Sequence, residues 1–335
     1  MKVLLYTEGL EYISKSGVGR AIKHQMEALK LAGVEYTLDV NDDYDIVHIN
    51  TYGMKSYLLA KEAKKKGKKV VYHAHSTEED FRNSFVFSNQ LSGMFKKWLI
   101  KCYRLGDCLV TPTPYSKRLL EGYNINRPIY AVSNGIDLKF FKRDDALGQE
   151  FRKKYGFKKN DKVIMAIGLL IERKGIIDFV ELASRLPQYK FIWFGDTPSY
   201  LIPPKIKKAM KAKNDNLIFA GYVPREVIRS AFSGSDLYLF PTHEETEGIV
   251  LLESLALKQK ALISDIPVFE DWVEDGKNVY KAKNIDDFKC KIVDILEGKL
   301  PDLTKAGYEV AKARDLKYIG KQLKEIYEGL LNNKE

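Results

Sequence analysis

The stretch Asp236-Leu237-Tyr238-Leu239-Phe240-Pro241-Thr242-His243-Glu244-Glu245-Thr246-Glu247-Gly248-Ile249-Val250-Leu251-Leu252-Glu253 reads as an apolar strand, a polar loop, a glycine and then an apolar helix. A strand run that passes through a loop into a helix is the repeating unit of a parallel sheet covered by helices, and that unit recurs along the chain. Around it, strands are expected over 163–168, 191–195, 217–220 and 261–264, separated by helical spacers. Earlier in the chain, strands over 3–7, 45–50, 69–74, 107–111 and 129–133 alternate with helices over 19–32, 55–66, 91–105 and 116–123. Two sets of five such units predict an α/β protein with two doubly wound domains, 1–140 and 141–315. The linker is expected within 137–145, where charges show no period. In 316–331, Leu316, Ile319, Leu323, Ile326, Tyr327 and Leu330 share one helical face, so this last helix, in the segment 316–335, should dock.

The length of 335 residues agrees with two domains at about 150 residues each. A hydrophobic share of 45% with 30% charged residues excludes disordered, collagenous and disulfide-stapled classes. The 55 Lys and Arg outnumber the 45 Asp and Glu, and the net charge of +10 asks for an anionic partner: nucleic acid, a phosphorylated substrate or an acidic membrane. Three cysteines, Cys102, Cys108 and Cys290, fit neither a disulfide framework nor a zinc site, so they read as packing residues in a reducing cytoplasm. The N-terminal apolar run is too short for a signal peptide, and the longest run, 163–171, is about half a membrane span. Any membrane association is therefore expected to be peripheral.

Glu245 lies in the loop at the expected C-terminal edge of the sheet, and Glu253 one turn into the following helix. Both can accept hydrogen bonds from ligand hydroxyls, while the amides beyond Gly248, at Ile249 and Val250, can hold an anion. The alternative is that acidic loop residues cap the helix. A second loop, Gly168-Leu169-Leu170-Ile171-Glu172-Arg173-Lys174-Gly175, places two cations after a strand, suited to a diphosphate or simply to a solvated turn. Ser16-Gly17-Val18-Gly19-Arg20 permits close backbone approach at the start of a helix, but it lacks the third glycine of the dinucleotide fingerprint. No Gly-Lys-Ser/Thr phosphate loop is present. His73 and His75 close the strand over 69–74 and share a face if the strand runs on. An active-site hydrogen bond, a structural role and a metal are the three readings of His75, and no third ligand at zinc spacing is evident.

Together these pieces resemble the retaining GT-B glycosyltransferases of family 4, also called group 1. The resemblance rests on the Glu-x7-Glu motif Glu245 to Glu253 with Gly248 between, and on Ser16-Gly17-Val18-Gly19, His75, Asn134-Gly135-Ile136-Asp137 and Gly168 to Gly175. It implies two facing Rossmann-like domains, a nucleotide sugar held by the second, and a final helix returning to the first. It implies a donor site of Gly17, Gly19, Arg173, Lys174, Glu245, Gly248, Ile249, Val250 and Glu253. Glu245 would hold sugar hydroxyls, Glu253 the ribose, and Arg173 with Lys174 the diphosphate. His75 and Glu245 would stand at the reaction centre, with no metal and no cofactor besides the donor. The chain departs from the family pattern at Gly168-Leu169-Leu170, where an arginine is usual, and at Gln259-Lys260-Ala261-Leu262, where small residues are usual.

The segments 15–25, 75–85 and 111–117 also look like those of bacterial diacylglycerol glycosyltransferases, particularly those acting on monoglucosyldiacylglycerol. Between Lys55 and Arg104 there are twelve Lys or Arg and four acids, a local net of +8. Leu91, Met94, Phe95, Trp98, Leu99, Cys102 and Leu105 form a helical stripe there, either core-facing or membrane-facing. Phe81, Phe85, Lys96, Lys97 and Trp98 are the candidate acceptor and membrane residues. The expected protein is a cytoplasmic, peripheral enzyme at the inner face of the cell membrane. It would move glucose or galactose from UDP-glucose or UDP-galactose, with retention, to monoglucosyldiacylglycerol, giving a diglycosyldiacylglycerol. The alternatives are a polyprenyl-linked, wall-polymer or soluble acceptor, or a non-catalytic basic anion or nucleic-acid binder. Nucleic acid is disfavoured because no groove-reading element or stacking platform is evident.

Overall fold

The computed structural model describes residues 1–9, 11, 17–85, 87–211 and 214–332. Two compact units emerge: Met1–Asp80, Gln90–Asp137 and Ala313–Glu335 form the first, and Phe81–Asn89 with Leu138–Lys312 the second. The chain passes between them at Asp137 and Leu138, inside the stretch read as a linker. The segment Phe81–Asn89, which sequence order assigns to the first domain, packs with the second unit.

In the first unit, strands β1 (Lys2–Tyr6), β2 (Glu35–Thr37), β3 (Ile46–Ile49), β4 (Lys69–His73), β5 (Cys108–Thr111) and β6 (Ile129–Ala131) form one sheet. Their order is β2-β1-β3-β4-β5-β6, and every pairing is parallel. In the second unit, β7 (Val163–Ile167), β8 (Lys190–Phe194), β9 (Leu217–Gly221), β10 (Leu237–Phe240), β11 (Ala261–Ser264) and β12 (Tyr280–Ala282) run parallel in the order β12-β11-β10-β7-β8-β9. The inner strands are buried on both faces, which is why they read as unbroken apolar runs rather than alternations. Each sheet holds six strands where five were expected. The extra ones, β2 and β12, are three-residue edges too short to display a period.

The topology positions the sites. In doubly wound sheets, ligands bind beyond the C-terminal strand ends where the winding reverses. That point lies between β7 and β10 in the second sheet and between β1 and β3 in the first.

The last helix, Leu316–Asn332, belongs to the first unit. It buries Leu316, Ile319, Leu323 and Tyr327 of the expected face and lies against the helix Gly17–Leu31. The two backbones meet closely: a Cβ on Gly320 would sit 2.0 Å from the Ala28 carbonyl oxygen. The Asn134-Gly135-Ile136-Asp137 motif supports the same dock. The Ile136 amide donates to Arg314 O at 2.9 Å, and a Cβ on Gly135 would strike Leu316 and Ile319. Cys102 and Cys108 are buried packing residues, whereas Cys290 is exposed, which corrects that reading for one of the three.

Candidate active site

The second unit brings its two motif loops together at the switch point. β7 leads to Gly168, and a 3-10 turn, Glu172–Lys174, carries the two cations to Gly175 at the start of the helix Ile176–Arg185. β10 leads through Pro241 to Gly248, the N-cap of the helix Ile249–Ala256, with φ 85° and ψ 61°. The loops are laced to one another. Thr242 Oγ1 and the His243 amide donate to the Arg173 carbonyl at 3.0 and 2.7 Å. Lys174 Nζ pairs with Glu245 Oε1, and Glu245 is only 7% exposed.

Arg173 is positioned by Ser84, a residue of the quoted segment 75–85 that had no assigned role in the sequence reading. Its Nε donates to Ser84 Oγ at 2.8 Å, its Nη1 to the Glu244 carbonyl at 3.1 Å, and its amide to the Asn83 carbonyl at 3.3 Å. Ser84 and Asn83 sit in Phe81–Asn89, so this segment is part of the support of the cation loop. Leu169, at the position where an arginine is usual, is half-buried, and Leu170 and Ile171 after it are buried.

Gly248 offers no side chain to the amides of the next turn, so Ile249 and Val250 open the helix with their N–H groups directed at its N-terminal end. Ile249 is buried and Val250 half-buried. Glu253 is fully buried in that helix. On the other face of the loop, His243 Nε2 lies 2.5 Å from Asp178 Oδ2, and this hydrogen bond raises the imidazole pKa.

In the first unit, Gly17 is the first residue of the helix Gly17–Leu31, no described residue lies within 4 Å of where its Cβ would be, and Gly19 is buried. Ser16 of the Ser16-Gly17-Val18-Gly19 motif, and Lys15 before it, lie outside the described residues. His75 sits just past β4, 8% exposed, its ring stacked on His73 at 3.9 Å and 7° as the strand alternation requires. Burial pulls its pKa down to about 3. Gln25, His48, Asn50 and Tyr327 are buried polar groups linked to it, a relation that the sequence reading, which had Tyr327 only on the docking face of the last helix, did not reach. The available signal was His48 inside the otherwise apolar run of β3, with Asn50 directly after it.

The candidate acceptor residues fall into different settings. Phe81 and Phe85 are half-buried, and Lys97 is exposed. Lys96 Nζ pairs with Glu78 at 3.2 Å and lies 4.2 Å over the Tyr123 ring. The Trp98 indole donates to the Tyr52 carbonyl at 2.6 Å. The helix Ser88–Tyr103 thus sends Leu99 and Cys102 into the core, supports them with Phe95 and Trp98, and exposes Leu91 and Met94.

Residues 148–314 match the family described as Glycosyl transferases group 1, and residues 37–140 match Glycosyltransferase Family 4. The whole chain is 41% identical over 335 residues to the processive diacylglycerol alpha-glucosyltransferase of Acholeplasma laidlawii, covering 100% of both. The chain belongs to the group 1, family 4 glycosyltransferases. This glycosyltransferase is also 26% identical over 274 residues to the alpha-galactosylglucosyldiacylglycerol synthase of Streptococcus pneumoniae, covering 78% of this chain and 71% of that one. Its fold matches Anabaena HepE in complex with UDP and glucose, with a TM-score of 0.80 at 15% identity over 98% of this chain and 99% of that one. It matches sucrose-phosphate synthase of Thermosynechococcus elongatus equally well, at 0.80 and 15% over 100% of each. The glycosyltransferase fold is therefore GT-B, with two parallel-sheet Rossmann-like domains. Among its described residues, no helix is long and apolar enough to cross a membrane.

Proposed function

We propose that this glycosyltransferase moves a hexose, glucose or galactose, from a UDP-sugar to a membrane glycolipid, with monoglucosyldiacylglycerol as acceptor and a diglycosyldiacylglycerol as product. The observation that carries the reading is the full-length similarity, at 41% identity, to a processive diacylglycerol alpha-glucosyltransferase. Nucleoside diphosphate hexoses of this kind are α-linked, and the relatives are named for α-products, which supports retention of configuration.

In this reading the laced loops at the β7–β10 switch point form the donor site. Arg173, Lys174 and the first-turn amides of Ile249 and Val250 meet the diphosphate, where charge grows as the nucleotide leaves. Glu245 accepts from sugar hydroxyls and Glu253 from the ribose. Gly17 and Gly19 let backbone approach the donor, and His75 meets the reacting sugar and acceptor. Departure is stabilised by fixed cations and helix-end amides, so no metal or further cofactor is required. The leaving phosphate takes the acceptor proton on the same face, and Glu245 forms no covalent bond. The protein works as a peripheral enzyme on the inner face of the cell membrane, which the basic Lys55–Arg104 region attracts electrostatically.

The test is transfer from UDP-glucose and UDP-galactose to diacylglycerol, monoglucosyldiacylglycerol and soluble sugars, with product anomers read by NMR and chelator added in parallel. An α-linked glycolipid formed in chelator is expected. Turnover with soluble sugars alone overturns the lipid acceptor, a β-product overturns retention, and a glycosyl-enzyme trapped on Glu245 overturns its assignment.

A further inference from the structure

His75 is one end of a buried hydrogen-bonded chain that ends on the C-terminal helix. His75 Nε2 lies 3.1 Å from Asn50 Oδ1. Asn50 Nδ2 donates to Gln25 Oε1 at 2.9 Å, which turns the Gln25 amide nitrogen toward the His48 ring, 3.0 and 3.1 Å from its two nitrogens. His48 Nδ1 meets the Tyr327 hydroxyl at 2.6 Å, and its Nε2 meets His73 Nδ1 at 3.2 Å. The five linked residues Gln25, His48, Asn50, His75 and Tyr327 come from β3, the segments just after β3 and β4, and two helices, and all are buried.

The directions of these bonds carry chemical information. A carbonyl oxygen only accepts, so Asn50 Oδ1 requires a proton on His75 Nε2. A neutral imidazole with its proton on Nε2 has a lone pair on Nδ1. Among the described residues, no hydrogen bond reaches that Nδ1. Turning the Asn50 amide alone would set its oxygen against Gln25 Oε1, whereas turning both amides would make Gln25 Oε1 accept from Tyr327 or His48 and would reverse the tautomer at His75. The orientation at His75 is thus tied to groups on the last helix, and the stacked His73 ring fixes the plane of the imidazole. Burial keeps His48 and His75 uncharged near neutrality, each pulled down to about 3.

We propose that Asn50 and Gln25, anchored by His48 and Tyr327, are positioning residues that hold His75 as the Nε2–H tautomer, so that Nδ1 accepts a hydrogen bond from a substrate hydroxyl. The hydroxyl half of this inference rests on the active-site role of His75 in the proposed function; the tautomer half stands without it. An Nδ1–H ring would instead point a donor at that hydroxyl and compete for a different partner. Losing one oriented hydrogen bond of this kind lowers turnover by about tenfold.

The experiment is nitrogen NMR of the full chain labelled with 15N-histidine, His75 being assigned through His75→Gln, followed by transfer kinetics on the same proteins. Wild type is expected to show the Nε2–H tautomer. Asn50→Leu should lose it to a mixture and lower kcat about tenfold, with KM for the UDP-sugar little changed. Asn50→Asp keeps an oxygen that accepts from His75 Nε2 and, with the Gln25 amide turned to donate to its second oxygen, should retain the tautomer. Tyr327→Phe, at the remote end and nearly isosteric, should broaden or shift the His75 signals while the chain stays folded. A wild-type Nδ1–H ring, or tautomers unchanged in Asn50→Leu and Tyr327→Phe, overturns the relay whether or not hexose is transferred. Undiminished transfer by His75→Gln overturns the substrate contact. No transfer by wild type to any acceptor, alongside the expected tautomer shifts, overturns the proposed function and supports the relay.

Discussion

Gly175 lies so close to Pro241 that a Cβ on the glycine would sit 1.8 Å from the proline carbonyl oxygen. The contact joins the two motif loops backbone to backbone, and Gly175 holds φ at 73°, a region that side chains avoid. Both conditions demand glycine. Gly156 has nearly the same φ, 72°, but nothing within 4 Å of a Cβ, so it separates the two effects. Gly156→Ala is expected to cost about 1 kcal/mol from backbone strain alone. Gly175→Ala should cost at least about 3 kcal/mol because the loops must part. Urea unfolding of the two variants decides this, and equal losses would show that the close approach is unimportant.

Lys174 and Glu245 make the polar counterpart of that contact. Their side chains are 16% and 9% exposed, so removing one leaves the other poorly solvated. A double-mutant cycle with Lys174→Met and Glu245→Gln should therefore give a coupling of about 2 kcal/mol in stability. In the proposed donor site Lys174 is a fixed cation at the leaving group, so Lys174→Met should lower kcat on the order of a hundredfold in transfer assays. Additive stability losses would mean that the ion pair contributes nothing to holding the loops.

The central strands and the Glu245–Glu253 motif were legible because each is local: a buried run, a polar loop and a helix follow one another in the chain. The α/β class was legible in the alternation of strands and helices, while the GT-B reading and the return of the C-terminal helix came through the resemblance that the motifs carry. Ser84 as a partner of Arg173 was not, because the two lie 89 residues apart and an isolated serine has no pattern. The same is true of His48 and Tyr327, separated by 279 residues. The stripe on the helix Ser88–Tyr103 was visible, but periodicity could not divide it between core and surface. Its core-facing end, Leu99 and Cys102, and its exposed end, Leu91 and Met94, differ only in what packs over them.

The buried histidines set the response to acid. Burial lowers the pKa of His24 to about 4 and of His48 and His75 to about 3, while an unfolded imidazole titrates near 6.5. Because the folded values are depressed, the unfolded chain binds more protons between the two. Stability is full above pH 6.5 and falls as pH drops toward the folded values. For His24 alone the loss by pH 4 is on the order of 3 kcal/mol. His24 Nδ1 donates to the Gly135 carbonyl at 2.9 Å, so His24→Gln can keep a donor while abolishing the titration. Urea midpoints followed from pH 7 to 4 should fall less steeply in His24→Gln than in wild type. Parallel slopes would remove His24 from the acid response.

The proposed membrane surface has an apolar and a basic component, and they respond differently to salt. Leu91 and Met94 project from the helix Ser88–Tyr103, with Met94 66% exposed, and Met54 and Leu58 from the neighbouring helix Met54–Lys65. Tyr57 and Trp98 join the two helices at 5.5 Å, and Lys101 lies 5.1 Å from the Tyr57 ring. Each basic residue near an anionic surface contributes about 1 kcal/mol at low salt. Lys97→Gln with Lys101→Gln should therefore weaken binding to phosphatidylglycerol vesicles on the order of thirtyfold, and much less at high salt. Leu91→Ser with Met94→Ser should weaken it at all salt concentrations, because burial of apolar area is not screened. Vesicle sedimentation across a salt series checks both. If neither pair of substitutions alters sedimentation, the helix serves only the core and the acceptor lipid must be reached through another surface.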